Sequence, residues 1–250
     1  MIKEVRNLAA FLTILPVGMG PERSRDAAKF MYLFPLLGAF IGLLAGLFAF
    51  PLLLIFQGPV AGILTLGFLL LVTGLHHTDG LLDFGDGLMC QGSPERKIEV
   101  MHDQRTGAGG LALGLVTLLT TAYSIGAIGS SIIFQVLVVS EVSAKLAMVC
   151  EARFGKSAHT GMNTHFIEAM RGKEGYLRLA AALILSVVIA FPLLWLTGLL
   201  SLAVGILTSS LMVWVSNRHF KGLTGDVFGA TNDLARMSSL LAILAASRWV

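Results

Sequence analysis

The sequence predicts an all-α integral membrane protein, a polytopic helical bundle of six or seven transmembrane helices arranged as hairpins. Of its 250 residues, 55% are hydrophobic and only 13% are charged, which is far from the balance of a soluble domain. The mean hydropathy is +0.80. Three stretches contain no charged residue, and each is long enough for two spans of about 20 residues. They lie between Lys29 and Asp79, between Arg105 and Glu141, and between Arg178 and Arg218.

Uncharged, turn-forming segments divide each apolar stretch into a hairpin. The turns are predicted at Gln57 to Pro59, Gly126 to Ser131 and Thr197 to Ser201. Charged segments separate the hairpins at residues 1 to 29, 76 to 108, 151 to 178 and 217 to 236. Because an even number of spans separates each charged segment from the next, all four emerge on one face of the membrane. They hold nearly all of the Lys and Arg residues, which places that face in the cytoplasm.

The two ends of the chain are apolar but short for a membrane crossing. Near the N-terminus, VRNLAAFLTILPVG predicts an interfacial or re-entrant helix ending at Pro16, without the cleavage pattern of a signal peptide. The tail RMSSLLAILAASRWV after Asp233 predicts a final tilted or interfacial helix. Since no repeat or soluble linker interrupts the chain, residues 1 to 250 are predicted to form a single membrane-embedded domain.

An acidic pattern, LHHTDGLLDFGDGLMCQG at residues 75 to 92, directly follows an apolar stretch. Asp79, Asp83 and Asp86 are spaced four and three apart, so on a helix they lie along one face, close enough to repel. Carboxylate oxygens are hard ligands for Mg²⁺, which usually completes its shell with water and substrate phosphates. This acid run therefore predicts a Mg²⁺ site for phosphate chemistry beside the bilayer. Its glycines are interpreted as room for a polyphosphate near the backbone: Gly80, Gly85 and Gly87.

Other interpretations of the acid run stay open. Acids just outside a span are often solvated boundary residues, although ionisable groups at membrane depth are biased toward function. His76 and His77 each have several interpretations: a capping or hydrogen-bonding residue, a residue that orients a metal ligand, or a direct ligand. An ion or solute transporter would also use membrane acids, but these cluster on one side rather than near the midplane.

A second polar group follows in RKIEVMHDQRTGAGG. Asp103 can add a fourth carboxylate and Arg105 can pair with a phosphate, ahead of a close backbone approach at Gly107. The alternative is a charged loop before a glycine-rich helix start. In the fourth predicted span, Glu141 and Lys145 are four residues apart, which suits an ion pair facing the bundle interior. A substrate contact is the alternative for Lys145.

The predicted last loop, NRHFKGLTGDVFGATNDLAR, combines small residues with carboxylates. The small residues let backbone N–H groups approach phosphate oxygens, and Asp226 and Asp233 can hold a further cation. Together with the acid run, this loop predicts one site formed where segments of the same face converge. The residues predicted to contact the substrate phosphates are Gly107, Lys145, Arg218, Thr224, Gly225 and Asn232.

The formal net charge of +3 suits anionic membrane lipids or a phosphorylated substrate and gives no support to nucleic-acid binding. Cys90 and Cys150 do not form a Cys-x-x-Cys pair. The sequence therefore offers neither a zinc motif nor a disulfide framework.

Four motifs resemble the cobalamin synthase family of adenosylcobinamide-GDP ribazoletransferases, in the family's order. They are FLTILPV (11 to 17), HTDGLLDFGDG (77 to 87), DQRTG (103 to 107) and GLTGDVFGATND (222 to 233). The acid run and the TGD-x-x-GA segment are the specific ones. Two positions depart from the family pattern: Ile14 stands where bacterial members commonly carry arginine, and Asp233 stands where glutamate is expected.

The resemblance implies a Mg²⁺-dependent transferase in the cell membrane. The distribution of Lys and Arg places its active site on the cytoplasmic face. Its substrates would be adenosylcobinamide-GDP and α-ribazole or α-ribazole 5′-phosphate. A ribazole hydroxyl would attack the phosphorus next to the cobinamide arm, and GMP would leave. The predicted metal ligands are Asp79, Asp83, Asp86, Asp103, Asp226 and Asp233. The predicted catalytic residues are His77, Asp79, Asp86 and Arg105. Where a general base is needed, it would be His77 or an unligated Asp.

The nearest alternative enzyme is a CDP-alcohol phosphatidyltransferase, whose signature also opens with Asp-Gly and uses spaced aspartates for metals. Leu82 and Asp83 occupy the places where that signature carries Ala and Arg. Its later glycine and paired aspartate spacing is also not reproduced. Under this alternative the substrate would differ, but the type of reaction would be the same.

Overall fold

The computed structural model describes residues 2–14 and 27–247, and most of these residues are helical. The described part contains no β-strand, only an isolated bridge between Ser157 and Leu223. The prediction of an all-α chain is therefore confirmed. The helices are α1 (Ile2–Leu12), α2 (Phe34–Ile55), α3 (Gly58–Val72), α4 (His76–Met89), α5 (Pro94–Met101), α6 (Ala108–Gly126), α7 (Ile133–Phe154), α8 (Met162–Ala169), α9 (Gly172–His219) and α10 (Gly225–Ser247).

Four helical segments are long and apolar enough to cross a membrane: α2 with the 3-10 turn before it, α6, α7 and α9. The number becomes five if α3 and α4 count as one bent span. The angle between α3 and α4 is 98°. Because α4 turns across the direction of α3, we treat it as lying along the end of the bundle, outside the spanning segments. The predicted count of six or seven spans stays a prediction.

The chain reverses direction inside α9, at Trp195, which has a positive φ of 50°. Gly198 packs against the carbonyl group of Ala190, although a straight helix would hold residues eight apart at about 12 Å. The predicted turn at residues 197 to 201 is therefore misplaced, because these residues are helical. Pro192 lacks a backbone donor and weakens the helix just before the reversal.

α7 forms the centre of the bundle, with 89% of its apolar stretch buried. α2 approaches it at Gly38 and Gly42, where an added β-carbon would lie 2.5 Å from the carbonyl oxygens of Glu141 and Leu137. Small residues four apart let two helices pack backbone to backbone, as is common for helices in membranes. α7 can therefore place polar side chains in the interior of the bundle.

Large apolar side chains cover the outside of the bundle. Leu54, Ile63, Val188 and Leu207 are each more than half exposed. A soluble protein rarely exposes a continuous apolar surface of this kind. Hydrocarbon is the solvent that matches this surface, which agrees with the membrane class predicted from composition.

The N-terminal helix α1 ends at Leu12. The predicted helix end at Pro16 lies outside the described residues. The backbone N–H of Ile14 donates to the carbonyl oxygen of Val72 at 2.9 Å, so this segment is attached to the end of α3.

α10 begins at Gly225, well before Asp233, and much of the predicted last loop is helix. The loop prediction is wrong because it took polar residues as a sign of solvent exposure. Several of these residues are buried and pair with side chains of α7. Thr224 caps α10, since its hydroxyl accepts a hydrogen bond from the backbone N–H of Val227 at 3.3 Å.

Candidate active site

α4 carries the acid run and lies between the starts of two other helices. On one side Gly80 faces α10, where an added β-carbon would lie 2.7 Å from the carbonyl oxygen of Asp226. On the other side, the Asp86 carboxylate accepts hydrogen bonds from the backbone N–H of Gly107 at 2.6 Å and of Gly110 at 2.8 Å. These N–H groups are at the start of α6, so Asp86 caps that helix.

The connections after α7 and after α9 complete this end of the bundle. The backbone N–H of Leu223 donates to the carbonyl oxygen of Lys156 at 2.7 Å, and the carbonyl oxygen of Leu223 accepts from Ala158. His159 packs edge-on against His102, with ring centroids 5.6 Å apart. Segments from four distant parts of the chain therefore meet here.

Three carboxylates at this end, called the open acids below, are Asp79, Asp83 and Asp226. Asp79 is exposed and the other two are partly buried. Within residues 2–14 and 27–247, no Lys or Arg lies within ion-pair distance of an open acid. Partial burial, followed by the charges of Asp226, Asp79 and Asp86, raises the pKa of Asp83 to about 7. A carboxyl group that resists ionisation beside other carboxylates marks a place where a cation would be stabilised.

The open acids suit Mg²⁺ chemically, although they do not form a complete cage. In the part of the chain that the structure describes, no three His, Cys, Asp or Glu side chains converge on one ion position. Mg²⁺ is usually held by one or two carboxylates and takes its other oxygens from water and substrate phosphates. Space for a phosphate exists nearby, because an added β-carbon on Gly225 would have no atom within 4 Å.

Asp86 and Asp233, also predicted as metal ligands, differ from the open acids because each of their oxygens already accepts a hydrogen bond. Asp233 is only 2% exposed. Its Oδ1 accepts from Arg236 at 2.7 Å and from Asn232 at 3.0 Å. Its Oδ2 accepts from the hydroxyl of Thr78 at 2.8 Å.

Behind the open acids lies a buried polar group, called the core network below, that joins α7 to α10. Arg236 donates to both oxygens of Glu141 and to Asp233, and Lys145 donates to Oδ1 of Asn232 at 2.5 Å. The prediction that Glu141 and Lys145 face the interior is confirmed, because both are fully buried. The predicted pair between them is wrong, since each binds a residue of α10. Two formal negative and two formal positive charges cancel, which offsets part of the cost of their burial.

Four further predicted site residues lie on the surface. Asp103 and Arg105 are in the exposed connection between α5 and α6, where the backbone N–H of Arg105 donates to Oδ1 of Asp103 at 3.1 Å. Gly107 is the residue before α6. Arg218 is exposed, with its guanidinium carbon 5.8 Å from the ring centroid of Trp214.

His77 lies on the buried side of α4 and is 7% exposed. Burial, followed by the charges of Lys145 and Arg236, lowers the pKa of His77 well below its ordinary value. Its Nδ1 has no hydrogen-bond partner among the described residues. The imidazole is therefore neutral and lies beside the core network rather than among the open acids.

The glycines of the acid run bring helices together. Gly80 touches α10 as described above. An added β-carbon on Gly85 would lie 2.8 Å from the Cα of Gly110, and one on Gly87 would lie 2.5 Å from the side chain of Met101. The interpretation of these glycines as room for a polyphosphate is therefore wrong.

Sequence reasoning missed Thr78, His102 and Arg236. Arg236 carried a usable signal, because a single arginine within an apolar segment needs carboxylates on a neighbouring helix. His102 lies close enough to Asp226 to interact electrostatically with that carboxyl. Thr78 carried no signal, since its partner is 155 positions away in the sequence.

A family model described as cobalamin-5-phosphate synthase matches residues 4–244. The chain belongs to this family. Curated proteins named adenosylcobinamide-GDP ribazoletransferase are similar to it. One from Methanocella arvoryzae is 34% identical over 100% of this chain and 98% of the relative. One from Thermococcus gammatolerans is 35% identical over 96% of each. One from Methanococcoides burtonii is 31% identical over 97% of this chain and 92% of the relative. No solved structure matches the chain.

Membership of the cobalamin-5-phosphate synthase family confirms the resemblance inferred from the four motifs. The two specific motifs were the acid run and the TGD-x-x-GA segment. In the structure these segments form α4 and the start of α10, and they touch at Gly80 and Asp226. The residues that carry the resemblance therefore lie together in space.

Proposed function

We propose that this chain is a membrane-bound, Mg²⁺-dependent transferase that joins adenosylcobinamide-GDP to α-ribazole or its 5′-phosphate. The products are GMP and adenosylcobalamin or its phosphate, in the last steps of cobalamin biosynthesis. The names of the relatives support the substrates. The structural observation that carries the proposal is the group of open acids beside the start of α10, which have no Lys or Arg partner within residues 2–14 and 27–247.

The transfer exchanges one P–O bond for another. A ribazole hydroxyl oxygen bonds to the phosphorus next to the cobinamide arm, and the bond from that phosphorus to the bridging oxygen breaks. GMP leaves with the bridging oxygen, and the hydroxyl proton passes to solvent or to a base. Bound Mg²⁺ would supply neutralisation of the diphosphate charge, which phosphoryl transfer needs more than covalent help.

The residues of this chain bind and orient the diphosphate. Asp79 and Asp83 on α4 and Asp226 on α10 would hold the metal, with Asp103 as a further ligand from the neighbouring connection. The start of α10 favours phosphate oxygens, because backbone N–H groups and the positive end of the helix dipole point that way. Arg105 is exposed and available to pair with a phosphate.

The proposed topology places this site on the cytoplasmic face of the cell membrane. Each half of α9, on either side of Trp195, is long enough to cross a hydrocarbon core of about 30 Å. Counting both halves together with α2, α6 and α7 makes five spans. α3, with 15 residues, would be a shorter sixth span, and α10 would be a seventh. The concentration of Lys and Arg in the segments at the site end supports the cytoplasmic orientation.

Release of GMP tests the proposal. Purified protein in detergent, given adenosylcobinamide-GDP and Mg²⁺, should release GMP only when α-ribazole or its phosphate is added, and EDTA should stop the release. Asp79→Asn should lower the rate on the order of a hundred- to a thousandfold. The control is Glu99→Gln, which changes an exposed acid that is paired with Arg96, and it should keep the rate. Release of CMP from CDP-diacylglycerol, or GMP release that EDTA does not affect, would overturn the proposal.

A further inference from the structure

α4 and α10 are held together by close packing and by one directional contact between side chains. Gly80 touches the backbone of Asp226, and Gly229, one turn further along α10, packs against the backbone of α4. The directional contact is the hydrogen bond from Oγ1 of Thr78 to Oδ2 of Asp233, which is 2.8 Å long. Both side chains are buried. Close packing sets how near the helices approach, whereas a directional bond also sets how they are rotated.

Asp233 is held in turn by the core network. Arg236 and Asn232 donate to its Oδ1 at 2.7 and 3.0 Å. Arg236 also forms an ion pair with Glu141 on α7. Charge-assisted hydrogen bonds are strong and directional, and more so where water is excluded. Asp233 therefore connects Thr78 on α4 to the central helix of the bundle.

We propose that Asp233 is a positioning residue, and that its bond to Thr78 sets the rotation of α4 about its own axis. Thr78 directly precedes Asp79, and consecutive residues of a helix project about 100° apart. A rotation of α4 therefore moves Asp79 and Asp83 together with respect to Asp226. The hydrogen bond between Thr78 and Asp233 therefore holds Asp79 and Asp83 next to Asp226. This inference rests on the proposed Mg²⁺-dependent transfer.

The geometry also argues against Asp233 as a ligand of the ion that the open acids would hold. Asp233 and Asp226 are seven residues apart on one helix, which is roughly 10 Å along its axis. Bonds from Mg²⁺ to oxygen are about 2 Å long, so one ion does not reach both carboxylates. Each oxygen of Asp233 also has a donor from the chain, and the residue is only 2% exposed.

Thr78→Val tests the proposal, because valine keeps the shape of the side chain and removes the hydroxyl donor. Mn²⁺ binding, followed by electron paramagnetic resonance on the purified chain, replaces Mg²⁺ as the probe. The Kd for Mn²⁺ should rise on the order of tenfold. The Mg²⁺ concentration for half-maximal GMP release should rise in step, with a smaller change in kcat at saturating Mg²⁺. Thr78→Ser restores the donor and should return both values close to those of the unsubstituted chain.

Thr121→Val is the matched control, since Thr121 is also buried but donates to the Thr117 carbonyl of its own helix at 2.7 Å. It should lower thermal stability about as much as Thr78→Val and leave the Kd for Mn²⁺ unchanged. Equal Mn²⁺ affinities in the two valine variants would overturn the proposal. An unsubstituted chain that released no GMP would instead overturn the proposed transfer, and the Mn²⁺ comparison would still decide the role of Thr78 and Asp233.

Discussion

Acids of the core network and the open acids are the same kinds of side chain in opposite situations. Glu141 and Asp233 are buried, and cations and hydrogen-bond donors of the chain surround them. Asp79, Asp83 and Asp226 lie at the end of the bundle, without a Lys or Arg partner in the described ranges. The first set serves the fold and the position of α4 rather than a ligand, because each of its oxygens already has a donor from the chain. The second set can serve a ligand, because the described part of the chain supplies no counter-charge to it.

Physical cost explains why the two sets are separated. A charge deep in the bundle is tolerated only when it is paired and hydrogen-bonded. At the end of the bundle, water still reaches the open acids, so their repulsion is tolerated. Partial burial and then this repulsion raise the pKa of Asp83. The open acids therefore lie where solvent, or later a metal and a diphosphate, can compensate their charge.

Removing the cation of the core network should have the largest effect on the protein. Arg236→Met keeps the apolar length of the side chain but leaves Glu141 and Asp233 buried without their partner, which should cost about 3–5 kcal/mol of folding free energy. Thermal unfolding in detergent, followed by circular dichroism, measures this loss. Adding Glu141→Gln to Arg236→Met should recover part of it. An unchanged unfolding midpoint in Arg236→Met would show that the buried Glu141 and Asp233 do not depend on this cation. The contrast between the core network and the open acids would then fail.

Removing an open acid should instead cost activity and spare the fold. Asp83→Asn should lower GMP release on the order of a hundred- to a thousandfold. In EDTA its unfolding midpoint should stay the same or rise, because the repulsion by Asp79 and Asp226 is relieved. Glu99→Gln is again the control for the loss of a surface carboxylate. A clear loss of stability in EDTA would show that Asp83 has a structural partner after all.

Changing the spacing of the open acids without changing their charge sharpens the comparison further. Gly80→Ala places a β-carbon 2.7 Å from the carbonyl oxygen of Asp226, so α4 and α10 must separate, at about 1–3 kcal/mol. GMP release should fall, with a higher requirement for Mg²⁺. Gly67→Ala on α3 is the control, since its β-carbon would meet nothing within 4 Å, and it should be neutral or stabilising by up to about 1 kcal/mol. Equal GMP release by Gly80→Ala and Gly67→Ala would show that the close contact between α4 and α10 does not determine activity.

The acid run shows how much of the site the sequence could predict. Helical spacing correctly placed its aspartates on one helix, and the chemistry of carboxylates pointed to a cation. Asp83 and Asp86 look equivalent in such a pattern, since they are three residues apart. The fold distinguishes them, because it brings the backbone N–H groups of α6 to Asp86 and brings Asp226 to Asp83. Which acid acquires a partner is a long-range property that spacing does not contain.

The same limit explains the errors in the fold. Apolar stretches correctly predicted a helical membrane protein, because their composition alone requires burial or lipid. The start of α10 was misplaced because Asn232 and Asp233 looked solvated, whereas their partners include Lys145 on a distant helix and Thr78 on another. The reversal at Trp195 was misplaced because aromatic residues rarely adopt a positive φ, so composition favoured the small residues that follow.

The smallest expected effect is a pH dependence of stability in the absence of metal. The pKa of Asp83 is raised from 3.8 to about 7 in the folded chain. A carboxyl group with a raised pKa stabilises the folded state below its unfolded pKa, and this contribution disappears as the pH rises through its folded pKa. In EDTA the midpoint temperature of unfolding should therefore decrease as the pH is raised from about 4 to about 7. Asp83→Asn should make this pH-dependent slope smaller. Saturating Mg²⁺ should also remove it, because the ion takes the place of the proton among the open acids. A slope of the opposite sign would mean that a cation of the chain already compensates these acids, and the distinction between the open acids and the core network would fail.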